Sequence, residues 1–334
     1  MRAMTLEAAG RLTARKRPDA EPGPGQVRLR IAACGVCRTD LHVVDGDLPL
    51  RRAGIVPGHE IVGQVDAVGP NVDGLQVGDR RGATWLAWTC GRCDYCLEGR
   101  ENLCERAEFH GWTRDGGYAD MAIVDARYTV PLPAALSDAE CAPLLCAGLI
   151  GYRAWRMACA GRRVKILGLY GFGAAAHLLA QLAVWQDQTV HAFVRPGDEA
   201  AADLARSLGC AWAGPSDSAA PVPLDAAILF APVGALVPAA LAATRPGGAV
   251  ICAGIHMSEV PAMPYERLWG ERVLASVANL TRQDALEYLP LAERACIRPH
   301  VSRYPLGRAN DALADLRAGR FVGAAVLIPE CGCD

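Results

Sequence analysis

The cysteines at 90, 93, 96 and 104, in "CGRCDYCLEGRENLC", are spaced C-x2-C-x2-C-x7-C. Four thiolates on one short, glycine-containing loop can close a tetrahedron around zinc and leave no open position, which is the chemistry of a structural metal site. An iron–sulfur cluster is the rival, but clustered ferredoxin patterns run differently and usually add Cys-Pro. Upstream, "CGVCRTDLH" at 34–42 holds a C-x-x-C, Cys34 and Cys37, then a hydroxyl, a carboxylate and an imidazole at Thr39, Asp40 and His42. "PGHE" offers His59 beside Glu60, and "PLLCAG" offers Cys146. One cysteine of the opening pair with His59 and Cys146 makes a three-ligand set that leaves zinc's fourth position to water or substrate. Spacing alone does not establish that set, since a lone histidine or cysteine is commonly a loop or core residue.

The elements that must hold these residues fall into two textures. The first third is rich in glycine, proline and short β-branched runs, such as "QVRLRIAAC" and "EIVGQVDAVG". That predicts a β-rich domain of short strands, a barrel. After Ser137 the chain turns helix-rich. "RVKILGLYGFGAAAHLLAQLAVW" reads as an apolar strand, a glycine turn and a helix, and further strands and helices alternate after it. "ALVPAALAATRPGGAVICAG" reads as a helix, a Pro-Gly-Gly turn and a strand. The alternation predicts a doubly wound parallel sheet, so the fold class is α/β. The expected domains are 1–150, with the cysteine lobe at 90–104, then 151–280, and 281–334 returning to the first.

The chain has 334 residues, 51% of them hydrophobic, and a net charge of -2. It suits two domains and gives no electrostatic reason to expect nucleic acid or an anionic membrane. The longest apolar stretch, from Ala226, is interrupted by Pro232 and Pro238 and reads as buried elements, so no membrane span is expected. The N-terminus lacks a continuous apolar run, and cytoplasmic location is the expectation. Fourteen cysteines are many for such a chain. In a reducing compartment the cluster points to metal and the scattered ones to small buried residues.

"GVCRTDLH", "PGHEIVG", the cysteine lobe, "DGGYADMAIV", "PLLCAGLIGYRAW" and "GLYGFG" resemble, in order and spacing, the zinc-dependent medium-chain alcohol dehydrogenases over nearly the whole chain. The resemblance implies a GroES-like barrel beside a Rossmann-type sheet, and two zinc ions per chain. It implies a catalytic zinc on Cys37, His59 and Cys146, with Glu60 as an alternative ligand, and a structural zinc on Cys90, Cys93, Cys96 and Cys104. Asp40 then orients the zinc histidine, Thr39 holds the substrate hydroxyl and His42 passes its proton to solvent. Zinc acts as a Lewis acid while hydride moves to or from a nicotinamide.

The same resemblance puts the pyrophosphate on Gly168, Tyr170, Gly171, Phe172 and Gly173, with Arg38 as a further contact. The family pattern is G-x-G-G-x-G, and Tyr170 replaces its second glycine. The second strand ends "FVRPGD", giving Arg195 where NAD-dependent members carry a carboxylate, so the expected cofactor is NAD(P) with a lean to NADP. Ala324 stands where an Arg is frequent, and Ala324→Arg is expected to add a phosphate contact. Trp85 and Leu48 line the expected substrate pocket, for a primary or secondary alcohol or aldehyde larger than ethanol. Family members are homo-dimers or homo-tetramers. The same scaffold also carries polyol and cinnamyl-type dehydrogenases. Zinc-free quinone-reductase-like or non-enzymatic relatives lack the metal residues present here.

Overall fold

The structure is a computed structural model that describes residues 1–330; Cys331 and Cys333 lie outside the described residues. The chain divides into two compact units. Of the described residues, one unit comprises Met1–Ala147, Asn279–Glu293 and 298–330; the other comprises Gly148–Ala278 and Arg294–Ile297.

The first unit is built on a seven-stranded sheet. Its order is Val301–Pro305, Ala324–Ile328, Gln26–Val36, Glu60–Val68, Arg80–Ala83 and Thr129–Pro131, with Met121–Asp125 also paired to Gln26–Val36. The strand Gln26–Val36 delivers the chain to the cysteine pair. Its first half alternates, with Val27, Leu29 and Ile31 buried, as a half-covered strand should. From Ala33 the alternation gives way to burial at every position, so both faces of the strand are covered there. Cys34 therefore lies inside the strand, paired with Leu327 and Ile61 and wholly buried. Tyr118, Ile55, Ile61 and Leu6 fill the core beneath it.

In the second unit six parallel strands lie in the order Trp212–Pro215, Thr189–Val194, Ile166–Tyr170, Leu224–Leu229, Thr244–Cys252 and Val273–Ser276. Counted along the chain this is 3-2-1-4-5-6, the Rossmann order, whose reversal falls between Ile166–Tyr170 and Leu224–Leu229. The strand Leu224–Leu229 is buried at every position, as a parallel strand covered on both faces must be. One expectation changes in detail. "RPGG" is not a turn before its strand but part of the strand Thr244–Cys252. The pairing jumps from Leu224 opposite Thr244 to Ala226 opposite Ala249, so the surplus residues are taken up in a bulge. Among the described residues no helix is long and apolar enough to cross a membrane.

Candidate active site

Cys37 ends the extended run of Gln26–Val36 and N-caps the helix Arg38–Asp45. Thr39 N donates to Cys37 Sγ at 3.3 Å, and Cys37 N donates to Asp40 Oδ2 at 2.9 Å, a capping box made of a thiol and a carboxylate. A helix N-terminus favours the thiolate form. The other carboxylate oxygen of the buried Asp40 accepts from Gly58 N at 3.2 Å and faces His59 Nδ1 at 3.1 Å. A carboxylate only accepts, so Nδ1 carries the proton and Nε2 is presented to Cys37 Sγ, 3.1 Å away. The turn "PGH" needs its glycine: Gly58 has φ +95, and a Cβ there would meet the Tyr118 ring at 2.3 Å.

Glu60 opens the strand Glu60–Val68 with its side chain buried, in space left by Gly35 opposite. Cys146 sits in a π turn, Leu144–Gly148, that follows the helix Asp138–Pro143, and such turns concentrate at functional sites. One ligand atom from each of Cys37, His59, Glu60 and Cys146 lies within 4.8 Å of the others. The electrostatics record that crowding. A hydrogen bond from Cys146 and, against burial, the His59 ring hold the Cys37 thiol well below its usual value. Cys146 is pushed well up by the same bond, and Glu60 well up by burial and by Cys37. Burial works to depress His59, but Asp40 and Cys37 raise it well above an ordinary imidazole. Two sulfurs, one imidazole and one carboxylate are the donors zinc takes, and a cation would relieve the mutual repulsion of the acidic three, so the residues fit the ion.

The four cysteines of the lobe form the second such cluster among the described residues. Cys90 Sγ and Cys96 Sγ are 3.9 Å apart. A tetrahedron with Zn–S bonds of about 2.3 Å has an edge of about 3.8 Å, so this spacing fits a closed site. The amides of Arg92 and Cys93 draw the Cys90 thiol down to about 6. Glu101, buried within the lobe, receives Arg282 through Nε at 3.0 Å and Nη2 at 2.6 Å, and Arg282 lies over the Tyr128 ring at 4.6 Å.

Thr39 and His42 share the helix Arg38–Asp45, with Thr39 half-buried and Arg38 exposed. The aromatic wall is wider than Trp85 alone. Trp85 meets His59 edge-on at 5.0 Å and stacks on Phe109 at 5.1 Å and Trp112 at 6.1 Å. Trp112 Nε1 donates to Pro49 O at 2.9 Å, and the half-buried Leu48 belongs to that same segment. Phe109, Trp112, Gly35 and Asp47 were not singled out in the sequence; the aromatic density of "EFHGW" was the one available signal.

In the second unit Tyr170 ends its strand with the ring buried and stacked face to face on Phe193 at 4.1 Å. The replacement of the second glycine is thus accommodated by turning the side chain into the sheet core. Phe172 is also buried, Gly171 has φ +86 against Ala231, and Gly173 caps the helix Ala174–Trp185 with open space around it. Gly168 lies within the strand, where a Cβ would meet Leu224 at 2.6 Å. Arg195 follows the strand Thr189–Val194 with its side chain 76% exposed, 3.7 Å from Asp198. Ala324 is buried at 4% exposure, so Ala324→Arg would bury a guanidinium and does not simply add a phosphate contact.

Residues 23–134 match the alcohol dehydrogenase GroES-like domain family. The chain is 47% identical over 316 residues to a probable alcohol dehydrogenase, AdhA, of Mycobacterium tuberculosis, covering 92% of this chain and 90% of that protein. It is 37% identical over 313 residues to an alcohol dehydrogenase of Geobacillus stearothermophilus, covering 91% and 92%. Its fold superposes on the cobalt- and zinc-bound thermostable alcohol dehydrogenase of Pyrobaculum aerophilum with a TM-score of 0.89 and 26% identity, over 98% of this chain and 99% of that one. With these likenesses running nearly end to end, the chain belongs to the zinc-dependent medium-chain alcohol dehydrogenase family.

Proposed function

We propose that the protein interconverts alcohols with aldehydes or ketones, moving hydride to and from a nicotinamide cofactor. The observation that carries this reading is the meeting of the buried His59 and Glu60 with the half-buried Cys37 and Cys146, one ligand atom of each within 4.8 Å of the others. Zinc held by Cys37, His59 and Cys146 would supply Lewis acidity toward the substrate oxygen. Asp40 fixes the His59 ring so that Nε2 is the donor atom, and Glu60 stands by as an alternative ligand. Thr39 hydrogen-bonds the substrate hydroxyl and His42 takes its proton outward, the two being one turn apart on a helix. The zinc of the cysteine lobe is structural.

The cofactor's pyrophosphate rests on the turn Gly171–Gly173, which follows the strand Ile166–Tyr170, and on the amides of the helix Ala174–Trp185. Arg195 in place of a carboxylate supports NADP over NAD. The Trp85, Phe109 and Trp112 wall, with Leu48 opposite in size to a bulky aromatic, supports apolar and aromatic primary or secondary alcohols over polyols. The sheet-edge strand Val273–Ser276, with exposed Val273 and Leu274 after exposed Tyr265 and Trp269, supports assembly as a homo-oligomer. Free thiols throughout the described residues suit a reducing, cytoplasmic setting.

Steady-state kinetics with short, long and aromatic alcohols, each with NAD and NADP, test this reading. Turnover of apolar alcohols with a lower KM for NADP is the expected result. A strong NAD preference removes the cofactor lean, and no alcohol oxidation with either cofactor removes the reading.

A further inference from the structure

We infer that Asp47 is a positioning residue that sets the tautomer of His42. The helix Arg38–Asp45 ends at Gly46, whose φ of 86 is the left-handed C-cap that glycine adopts without strain. The chain folds back there, and Leu48 N donates to His42 O at 3.0 Å. That return brings Asp47 Oδ2 to 2.7 Å from His42 Nδ1. An ionised carboxylate is an acceptor only, so in the neutral ring the proton sits on Nδ1 and Nε2 is the nitrogen that gains and loses one. Asp45 is held by Arg317 at 2.5 Å, and Arg38 is an exposed cation at the far end of the helix. The Asp47 side chain is 54% exposed, so the pair contributes little to folding. Its consequence is orientational: the ring cannot present Nδ1 to the proton arriving from Thr39.

This rests on the relay reading of His42, and the experiment separates the two. Ring 15N shifts of His42 and the single-turnover rate of alcohol oxidation are measured on the holoenzyme and on Asp47→Asn, Asp47→Glu and His42→Ala. Asn offers donor and acceptor alike and no longer dictates the tautomer. Asp47→Asn is expected to move the shifts away from the Nδ1–H form and to slow the single turnover about tenfold, the lower end for partners that orient a functional imidazole. Asp47→Glu restores both in part. Either readout moving without the other, or neither moving while His42→Ala is slow, overturns the role of Asp47. His42→Ala turning over at the unaltered rate overturns the relay and this inference with it.

Discussion

Gly35 and Glu60 are direct partners across two antiparallel strands, and a Cβ built on Gly35 would lie 1.6 Å from Glu60 Oε2. The glycine of "CGVC" is therefore the space that the Glu60 carboxylate occupies beside Cys37 and His59. Gly35→Ala must evict that carboxylate or push the strands apart. The expected outcome is a loss of about 1–3 kcal/mol in stability, the usual cost of overpacking a core, together with weakened metal retention in competition with a chelator. Unchanged chelator resistance would mean that Glu60 has no part in holding the ion.

Asp40 is tied to both the cap of its helix and the ring of His59. Asp40→Asn keeps the shape but no longer holds the His59 proton on Nδ1 by obligation. Affinity for zinc or cobalt at the open site should fall 10- to 100-fold, about the range for carboxylates that orient a ligand histidine. Metal titration of the stripped protein, read by cobalt absorption, measures it directly. The cysteine lobe should be unaffected.

His110 lies behind the aromatic wall, wholly buried, its Nδ1 donating to Thr84 O at 2.7 Å while Nε2 has no hydrogen-bond partner among the described residues. Burial pushes its pKa down to about 4. The folded ring therefore resists a proton that the unfolded ring accepts near its ordinary value of about 6.5. Its stability contribution is complete above about 6.5 and is lost as pH falls toward 4, on the order of 3 kcal/mol in all. Urea denaturation between pH 7 and 4, compared with His110→Gln, should show a shallower acid loss in the variant. Parallel curves would contradict it.

The Arg282 guanidinium closes on the buried Glu101 with three nitrogen-to-oxygen contacts of 2.6 to 3.0 Å. Arg282→Ala leaves that carboxylate buried without its counter-charge, keeping only the backbone amide of residue 282, 2.9 Å from Oε1. Because Arg282 is itself 41% exposed, the expected cost is about 1–3 kcal/mol, below that of a fully buried pair. Thermal unfolding gives the magnitude. Limited proteolysis around residues 90–104 should quicken if Glu101 is what docks the lobe.

The parallel sheet and the cysteine lobe were legible because their signals are local: a strand, a glycine turn and a helix in one run, four thiols in fifteen residues. The open site was not, since Cys37, His59 and Cys146 are separated by long stretches and only a resemblance joined them in sequence. The roles of Gly35 and Asp47 needed coordinates, because each acts through a partner set by strand register or by a left-handed turn. The π turn that carries Cys146 leaves no periodic mark in "PLLCAG". In the linear motif Tyr170 reads as an obstacle to the phosphate turn, whereas in the fold its ring stacks on Phe193. Side-chain direction at the end of a strand is decided by the neighbouring strand, which the linear motif does not contain.

Metal content and turnover of Cys37→Ser beside Cys34→Ser test the central claim most directly. Cys34 is paired on both sides within its sheet and buried, whereas Cys37 faces His59. The unaltered protein should hold two zinc ions per chain, one for each cluster. Cys37→Ser should keep the lobe ion, lose most of the other and lose alcohol oxidation, while Cys34→Ser keeps both ions and its activity. Equal losses from the two changes, or a fully active protein free of zinc, would contradict the account.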